Sequence, residues 1–227
     1  MDDPAHGAVV KHDTRTRLQV GGRRLRVGVE RTAGRVISFV VGKATESYFG
    51  RTYYTNRWHP RYALLQDALD ETVAYIKSDM RDAIIRKDAF EVLTFAVDRV
   101  TVDGLHLEFG VRTGTTINHV ARRRPRWTIH GFDSFAGLPE AWAGYTLAEG
   151  AFGGDGVPEV APNVELVHGW FDDSLPPFVA EHPEPVAFVH IDSDIYSSAK
   201  TVLDNLGPQL QAGTVIVFNE YFNYPNW

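Results

Sequence analysis

The chain has 227 residues, of which 44% are hydrophobic and 23% are charged, so disordered and fibrous classes are excluded and one substantial globular core is expected. It contains no cysteine, which excludes disulfides, zinc–thiolate sites and thiol nucleophiles. A net charge of −6 and the lack of a bilayer-length apolar run indicate neither a nucleic-acid nor a membrane partner, and we expect a soluble, cytoplasmic protein.

The first hundred residues have the pattern of an arm, a hairpin and two helices. Residues 22–41 alternate polar and apolar positions around a Thr-Ala-Gly break, which predicts a β-hairpin. Residues 61–79 and 82–99 carry apolar side chains at helical spacing. We therefore expect residues 1–100 to form a cap for substrate or oligomer contacts, packed on a core formed by residues 101–227.

From residue 104, short apolar runs alternate with helical patterns, which is typical of a parallel sheet flanked by helices. The predicted strands cover residues 105–110, 127–132, 164–169, 186–191 and 214–219. The predicted helices between them cover residues 115–124, 171–181 and 197–206. The fold class is therefore α/β, with a doubly wound, mostly parallel sheet.

The turn after the first predicted strand carries Gly110 and Gly114, which allow the backbone to bend sharply and approach a ligand. Thr115 and Thr116 can cap the following helix and offer donors to an anionic group. Arg112 stands where a dinucleotide fingerprint requires glycine, so a pyrophosphate would meet a side chain. The turn suits S-adenosylmethionine, which has no phosphate, although a glycine turn without a ligand is at least as common.

The next two strand ends supply further candidate contacts. Asp133 lies 25 residues after Glu108, the separation expected for the acid that accepts the ribose hydroxyls. The alternative for Asp133 is an Asx turn or a helix cap. Gly169 gives backbone access after the third strand, and Trp170 or Phe171 could cover an adenine ring or belong to the core.

Acidic and amide side chains follow the last two predicted strands. Asp192 and Asp194 follow the fourth strand, and Asn219 and Glu220 follow the fifth. Parallel neighbouring strands would bring these groups to one edge, where crowded carboxylates need a cation or a shared proton. Oxygen-only ligands suit Mg²⁺ or a similar hard ion. The alternative is that Asp192 caps the helix near Ser197 while Asp194 and Glu220 face water.

Five stretches carry a resemblance to a known family, in this chain order: LEFGVRTGTT, GFDSFAGLPE, GWFDDSLP, HIDSDIYSSAKTVL and GTVIVFNEYF. Together they resemble the class I S-adenosylmethionine-dependent methyltransferases of the macrocin O-methyltransferase (TylF-like) group, over residues 100–224. The resemblance implies a Rossmann-like, doubly wound sheet, here with an N-terminal hairpin and a helical extension. It also implies methyl transfer to a small-molecule hydroxyl, often on a sugar of a natural product, commonly assisted by Mg²⁺.

The resemblance also implies roles for single residues. Together with the interpretations of the turn and the strand ends above, it places the following residues at the S-adenosylmethionine site: Glu108, Gly110, Gly114, Thr115, Thr116, Asp133, Ser134, Phe135, Gly169, Trp170 and Asp192. It makes Asp192 a metal ligand together with Asn219 and Glu220. Asp194 is then placed to act as the catalytic base.

Two departures from the family pattern limit what the resemblance implies. Asn219 stands where the family has an acid, so the site loses one negative charge and should bind a metal more weakly. The chain also ends soon after the fifth strand, where the common architecture continues with a helix and an antiparallel hairpin. Either the chain is truncated or another segment, such as the N-terminal hairpin, takes that edge.

Two functions of other classes stay open beside methyl transfer, and the acceptor is not identified. They are a non-catalytic relative that binds the cofactor as a partner subunit, and a nicotinamide-dependent oxidoreductase, which Arg112 disfavours. Tyr196, Trp58 and His59 are candidate substrate contacts, with ordinary packing the favoured interpretation of the last two. Loops at 43–62 and 136–160 are expected to set specificity. The expected partner is a hydroxylated small molecule, and a homo-oligomer stays open.

Overall fold

The computed structural model describes these parts of the chain: residues 60–143, 145 and 147–227. The chain divides into two compact units, Met1–Ala63 and Leu64–Trp227. The predicted hairpin at residues 22–41 and the candidate contacts Trp58 and His59 lie outside the described residues. No helix of the described part has the length and apolar character that a membrane span requires.

Two helices precede the sheet, α1 (Pro60–Asp79) and α2 (Ala89–Val97). The first agrees with the predicted helix, but the second begins seven residues later than the predicted start at residue 82. Asp88 caps α2 because its side chain accepts the main-chain N–H of Glu91 at 3.0 Å. Ile85 therefore lies outside the helix and is 84% exposed. The cap at Asp88 therefore sets the start of α2, although apolar residues at helical spacing begin earlier in the sequence.

Five strands of the described residues form one parallel sheet in the order β3-β2-β1-β4-β5. The strands are β1 (Leu105–Phe109), β2 (Ile129–Asp133), β3 (Val164–His168), β4 (Val186–Ile191) and β5 (Leu210–Phe218). The helices after β1, β3 and β4 are α3 (Thr115–Arg123), α4 (Phe171–Glu181) and α5 (Tyr196–Leu206), the last followed by a 3₁₀ turn at Gly207–Gln209. The predicted doubly wound α/β fold is confirmed.

The last strand begins at Leu210, four residues before the predicted start. Its pairing with β4 shifts register between Val186 and Phe188, and Gly213 takes a φ of 98° in this irregular part. The hydroxyl of Thr214 donates to the main-chain carbonyl of Val186 at 2.6 Å. Such an irregularity breaks the side-chain alternation from which a strand start is predicted.

Each face of the sheet has its own apolar core. On one face the sheet packs with residues of α2 and α3 such as Leu93 and Ile117. On the other face it packs with residues of α4 and α5 such as Leu175 and Val202. All six residues of β4 are buried, as expected for a parallel strand covered on both faces. This packing holds the carboxyl ends of the strands together at one edge.

Candidate functional site

The turn between β1 and α3 lies directly against the end of β4. Gly110 has a φ of 94°, and a Cβ atom there would overlap the main-chain carbonyl of Asp192. Gly114, with a φ of 75°, is the N-cap of α3 and provides no side-chain hydrogen bond. Thr115 and Thr116 are therefore the first residues of the helix, which corrects the capping role predicted for them.

Asp133, at the end of β2, holds this turn in place. Its Oδ2 atom accepts the main-chain N–H groups of Val111 (2.8 Å) and Arg112 (2.7 Å). Its Oδ1 atom accepts the N–H of Phe135 at 2.7 Å, which is the Asx-turn contact considered from the sequence. Asp133 also lines the adjoining cavity, so the predicted ribose contact would add to this structural role.

Glu108 lies behind the turn and is 1% exposed. One carboxylate oxygen accepts the hydroxyl of Thr116 at 2.8 Å, and the other lies 3.0 Å from Nδ1 of His190. Burial opposes the charged form of His190, but the hydrogen bond and charge of Glu108 prevail and raise the pKa of the imidazole. Glu108 therefore connects the first turn of α3 to β4 and does not line the cavity, so any effect on a cofactor would be indirect.

A cavity of about 530 Å³ lies at the carboxyl ends of the strands, within the usual range for small-molecule sites. The predicted site residues that line it are Gly110, Thr115, Thr116, Asp133, Ser134, Trp170, Asp192, Asp194 and Asn219. The predicted residues that do not line it are Glu108, Gly114, Phe135, Gly169 and Glu220. The turn and the proposed base therefore face a single cavity.

The aromatic residues predicted beside the adenosine have different surroundings. Trp170 is 39% exposed, lines the cavity and is the N-cap of α4. Phe135 packs against the core and meets the ring of His168 edge-on, with centroids 5.4 Å apart. Gly169 has a φ of 147° and donates its N–H to the main-chain carbonyl of Asp133 at 3.0 Å. Phe171 also lines the cavity and packs against the core, so both aromatic residues predicted to cover an adenine ring border the cavity.

Three carboxylates meet at the ends of β4 and β5. Asp192, Asp194 and Glu220 each contribute an oxygen atom, and these atoms all lie within 4.8 Å of one another. The amide of Asn219 donates to Glu220 and is hydrogen-bonded to Asp192. Asp194 has a φ of 63°, a left-handed conformation that is strained for a non-glycine residue and recurs at functional sites. The structure thus brings these four side chains together.

Burial and mutual repulsion make these acids hard to ionise. Burial, followed by the charge of Asp192, raises the pKa of Asp194 to about 7. Burial and the charges of both aspartates raise the pKa of Glu220 to about 7. Burial also raises the pKa of Asp192, against the opposing charge of His190. A carboxylate in this range can accept a proton near neutral pH, and three oxygen donors this close also fit a hard divalent cation.

Other cavity residues were not identified from the sequence. Ser197 donates its hydroxyl to Glu140 at 2.7 Å, and Thr201 donates to Asp172 at 2.9 Å; all four line the cavity. The usable signal was that Asp172 and Ser197 lie in the first turns of α4 and α5. Tyr196, predicted as a substrate contact, is 81% exposed and does not line the cavity.

These features define a class of protein. An open parallel sheet, a glycine turn after its central strand, an acid at the end of the next strand and a cavity at the carboxyl edge are those of a Rossmann-like ligand-binding protein. The comparison with known families then names the group within that class. Residues 107–221 match the family described as "Methyltransferase domain", and the chain belongs to this methyltransferase family.

The chain is also similar to solved structures. The chain is similar to CalS11, described as a calicheamicin methyltransferase, with 26% identity and a TM-score of 0.52 over 74% of this chain and 77% of that one. It is also similar to the O-methyltransferase NovP, with 25% identity and a TM-score of 0.44 over 58% of this chain and 64% of that one. An apo structure of CalS11, described as a TDP-rhamnose 3'-O-methyltransferase of calicheamicin biosynthesis, has 26% identity and a TM-score of 0.44 over 61% and 63%. The comparison with curated proteins found no match.

The predicted class I methyltransferase is thereby confirmed, and the protein is a methyltransferase enzyme. The family implies S-adenosylmethionine as the methyl donor.

Proposed function

We propose that the protein transfers a methyl group from S-adenosylmethionine to a hydroxyl of a small molecule, on a sugar of a natural product or on a glycoside. The observation that carries the proposal is that Asp194, held at a φ of 63°, lines the same cavity as the glycine turn. A hydroxyl acceptor needs a base beside the methyl donor because its own pKa lies far above neutral. The similarity to CalS11, a calicheamicin methyltransferase, supports a natural-product acceptor.

S-adenosylmethionine, when bound, supplies a methyl group that is electrophilic because its sulfur is a sulfonium. In the proposed reaction Asp194 accepts the hydroxyl proton while the acceptor oxygen bonds to the methyl carbon and the carbon–sulfur bond breaks. The turn that contains Gly110, fixed by Asp133, orients the donor. Such alignment can supply roughly 7–11 kcal/mol of the barrier reduction.

We propose Asp192 and Glu220, helped by Asn219, as the residues that would hold Mg²⁺. Carboxylate oxygens of Asp192 and Glu220 lie within 4.8 Å of each other and of Asp194, and burial and mutual repulsion raise the pKa values of these acids, which supports this assignment. A cation there would stabilise the deprotonated hydroxyl of the acceptor. Asn219 would have to present its amide oxygen rather than the nitrogen that now faces the acids, and it adds no charge. The proposed metal site is therefore a weak one.

A second candidate function is a methyltransferase relative that binds the cofactor and acts as a partner protein without turnover. The observation that favours it is Asn219, which leaves the acid cluster one charge short of the family pattern. The two functions differ in turnover and not in cofactor binding.

Calorimetry with S-adenosylhomocysteine, with NAD as the comparison ligand, tests the cofactor assignment. Methyl transfer is then assayed across hydroxylated sugars and glycosides, with and without Mg²⁺, for the natural sequence and for Asp194→Asn. We expect binding of S-adenosylhomocysteine but not NAD, and transfer that requires Asp194. If S-adenosylhomocysteine does not bind, the proposal is overturned. If it binds but no acceptor is methylated, the result favours the second candidate, a partner protein without turnover.

A further inference from the structure

The segment between β2 and β3, residues 134–163, is here called the β2–β3 loop, and part of it folds back on itself. The main-chain N–H of Leu138 donates to the carbonyl of Ala151 at 2.9 Å. Leu138 and Trp142 share an apolar cluster with Ile195, which directly follows the proposed base. One part of the loop is therefore packed beside the acid cluster.

Arg112 attaches a later part of the same loop to the cofactor turn. Its Nε–H donates to Asp155 Oδ2 at 3.2 Å, and its guanidinium carbon lies 4.8 Å from the centroid of the Phe152 ring. Its main-chain N–H donates to Asp133 at 2.7 Å, and its φ is 46°. A non-glycine residue keeps this conformation only where its surroundings stabilise it. Here both the main chain and the side chain of Arg112 form hydrogen bonds.

The loop around these two contacts is rich in glycine. Gly150, Gly154 and Gly156 all have positive φ, and a Cβ atom at any of them would meet nothing within 4 Å. Phe152 and Gly153, between these glycines, do pack, Phe152 against the cluster of Leu138 and Trp142 and Gly153 against the main chain of Ala136. Arg112 adds contacts that connect Phe152 and Asp155 to the cofactor turn. Phe152, at the centre of the stretch, lines the cavity.

The ion pair of Arg112 with Asp155 has a local effect. The two side chains are 53% and 50% exposed, and pairs between half-exposed charges contribute little to global stability. The same guanidinium group also lies over the ring of Phe152, so it connects both Phe152 and Asp155 to the turn. A change in this contact should alter the shape of the cavity without unfolding the protein.

We propose that Arg112 is a positioning residue that fixes the Phe152 part of the β2–β3 loop against the cofactor turn and so shapes the acceptor side of the cavity. The proposal rests on the O-methyltransferase function proposed above. The competing role for Arg112 is direct contact with an anionic group of a ligand, for which Asp155 would not be needed. The two roles therefore differ in what Asp155 does.

The test compares Arg112→Gln with Asp155→Asn, which break the pair from opposite sides. Glu149→Gln, at an exposed position of the same loop, is the matched control for the loss of one charge. We expect both pair variants to raise the acceptor KM about fivefold, with kcat changed less than about twofold, and Glu149→Gln to match the natural sequence. Arg112→Lys should raise the acceptor KM less than Arg112→Gln does, because lysine retains the positive charge.

Hydrogen exchange of the amides of residues 150–156 and calorimetry with S-adenosylhomocysteine complete the test without methyl transfer. Exchange should rise in both pair variants, while S-adenosylhomocysteine affinity stays within about twofold. A defect in Arg112→Gln that Asp155→Asn does not share overturns the proposal, as does unchanged exchange in both. If no acceptor is methylated, the proposed function fails separately, and exchange alone decides the role of Arg112.

Discussion

Two groups of acidic side chains lie at the same edge of the sheet and differ in how their charges are balanced. Glu108 and Asp133, the turn acids, accept hydrogen bonds from the protein with both carboxylate oxygens. Asp192, Asp194 and Glu220, the cluster acids, crowd together, and their pKa values are raised. The protein itself supplies hydrogen-bond donors to the turn acids. The negative charge of the cluster acids would instead be balanced by protons, a cation or a substrate.

Removal of an acid should affect stability differently in the two groups. A protein group that donates to a turn acid loses its partner when that acid is removed, so such a change should lower stability. A cluster acid is repelled by its neighbours, so its removal should lower activity while stability stays level or rises.

Asp194→Asn should abolish the proposed base while it relieves repulsion in the cluster. We expect methyl transfer to fall about 10²- to 10⁴-fold, the usual contribution of general base catalysis. The free energy of unfolding, measured with denaturant, should be unchanged or higher, which shows that lost activity is not lost folding. Undiminished transfer would exclude Asp194 as the base.

Gly110→Ala should disrupt the close contact between the glycine turn and the main chain at the end of β4. The added Cβ atom would overlap the main-chain carbonyl of Asp192, so we expect unfolding free energy to fall by more than about 3 kcal/mol. Gly154→Ala is the matched control, because its φ of 93° nearly equals the 94° of Gly110 but its Cβ would meet nothing within 4 Å. That control should lose only about 1 kcal/mol from backbone strain. Equal losses in the two variants would contradict the close approach.

Asp133→Ala should leave three main-chain N–H groups without their acceptor, two in the turn and that of Phe135 after β2. Since water can reach part of this site, we expect a loss of about 2 kcal/mol in unfolding free energy. Asp133→Asn keeps one acceptor oxygen and should lose about half as much. S-adenosylhomocysteine affinity should fall in both variants. A fully stable Asp133→Ala protein would show that the turn does not depend on this acid.

Asn219→Asp adds a fourth carboxylate to the cluster and should increase the repulsion among its acids. In EDTA the added repulsion should lower Tm, and in Mg²⁺ the added charge should tighten cation binding. Binding stabilises a folded protein by about 2.7 kcal/mol at 100 times Kd, so Mg²⁺ should raise Tm more in the variant than in the natural sequence. Thermal unfolding with and without Mg²⁺ measures this difference. Equal responses to Mg²⁺ would argue against residue 219 as a ligand.

Much of the fold was predictable because parallel strands covered on both faces are nearly continuous apolar runs, as β4 is. The meeting of Asp192, Asp194 and Glu220 followed from the same fact, because neighbouring parallel strands end at one edge. The start of α2 did not follow, since a cap at Asp88 overrode the apolar spacing.

The hydrogen bonds of Glu108 could not be predicted from the sequence. Glu108 meets His190 only because β1 pairs with β4 in the observed register, and these residues lie 82 positions apart in the chain. The left-handed backbone of Asp194 is likewise fixed by tertiary structure, because no local residue pattern requires it. The spacing of residues in the sequence therefore predicted where the site lies. The hydrogen bonds that each acid accepts depend on tertiary packing.

His106 lies on β1 and belongs to neither group of acids. Its ring stacks on Trp127 with centroids 3.9 Å apart, and burial lowers its pKa to about 4. Because the folded-state pKa is below the ordinary value of 6.5, the unfolded chain binds this proton first as the pH falls. The contribution of His106 to stability should thus decline from pH 6.5 to about pH 4 and level off below that. His106→Gln should flatten the pH dependence of unfolding free energy in this interval, and an unchanged slope would show that His106 titrates normally in the folded protein.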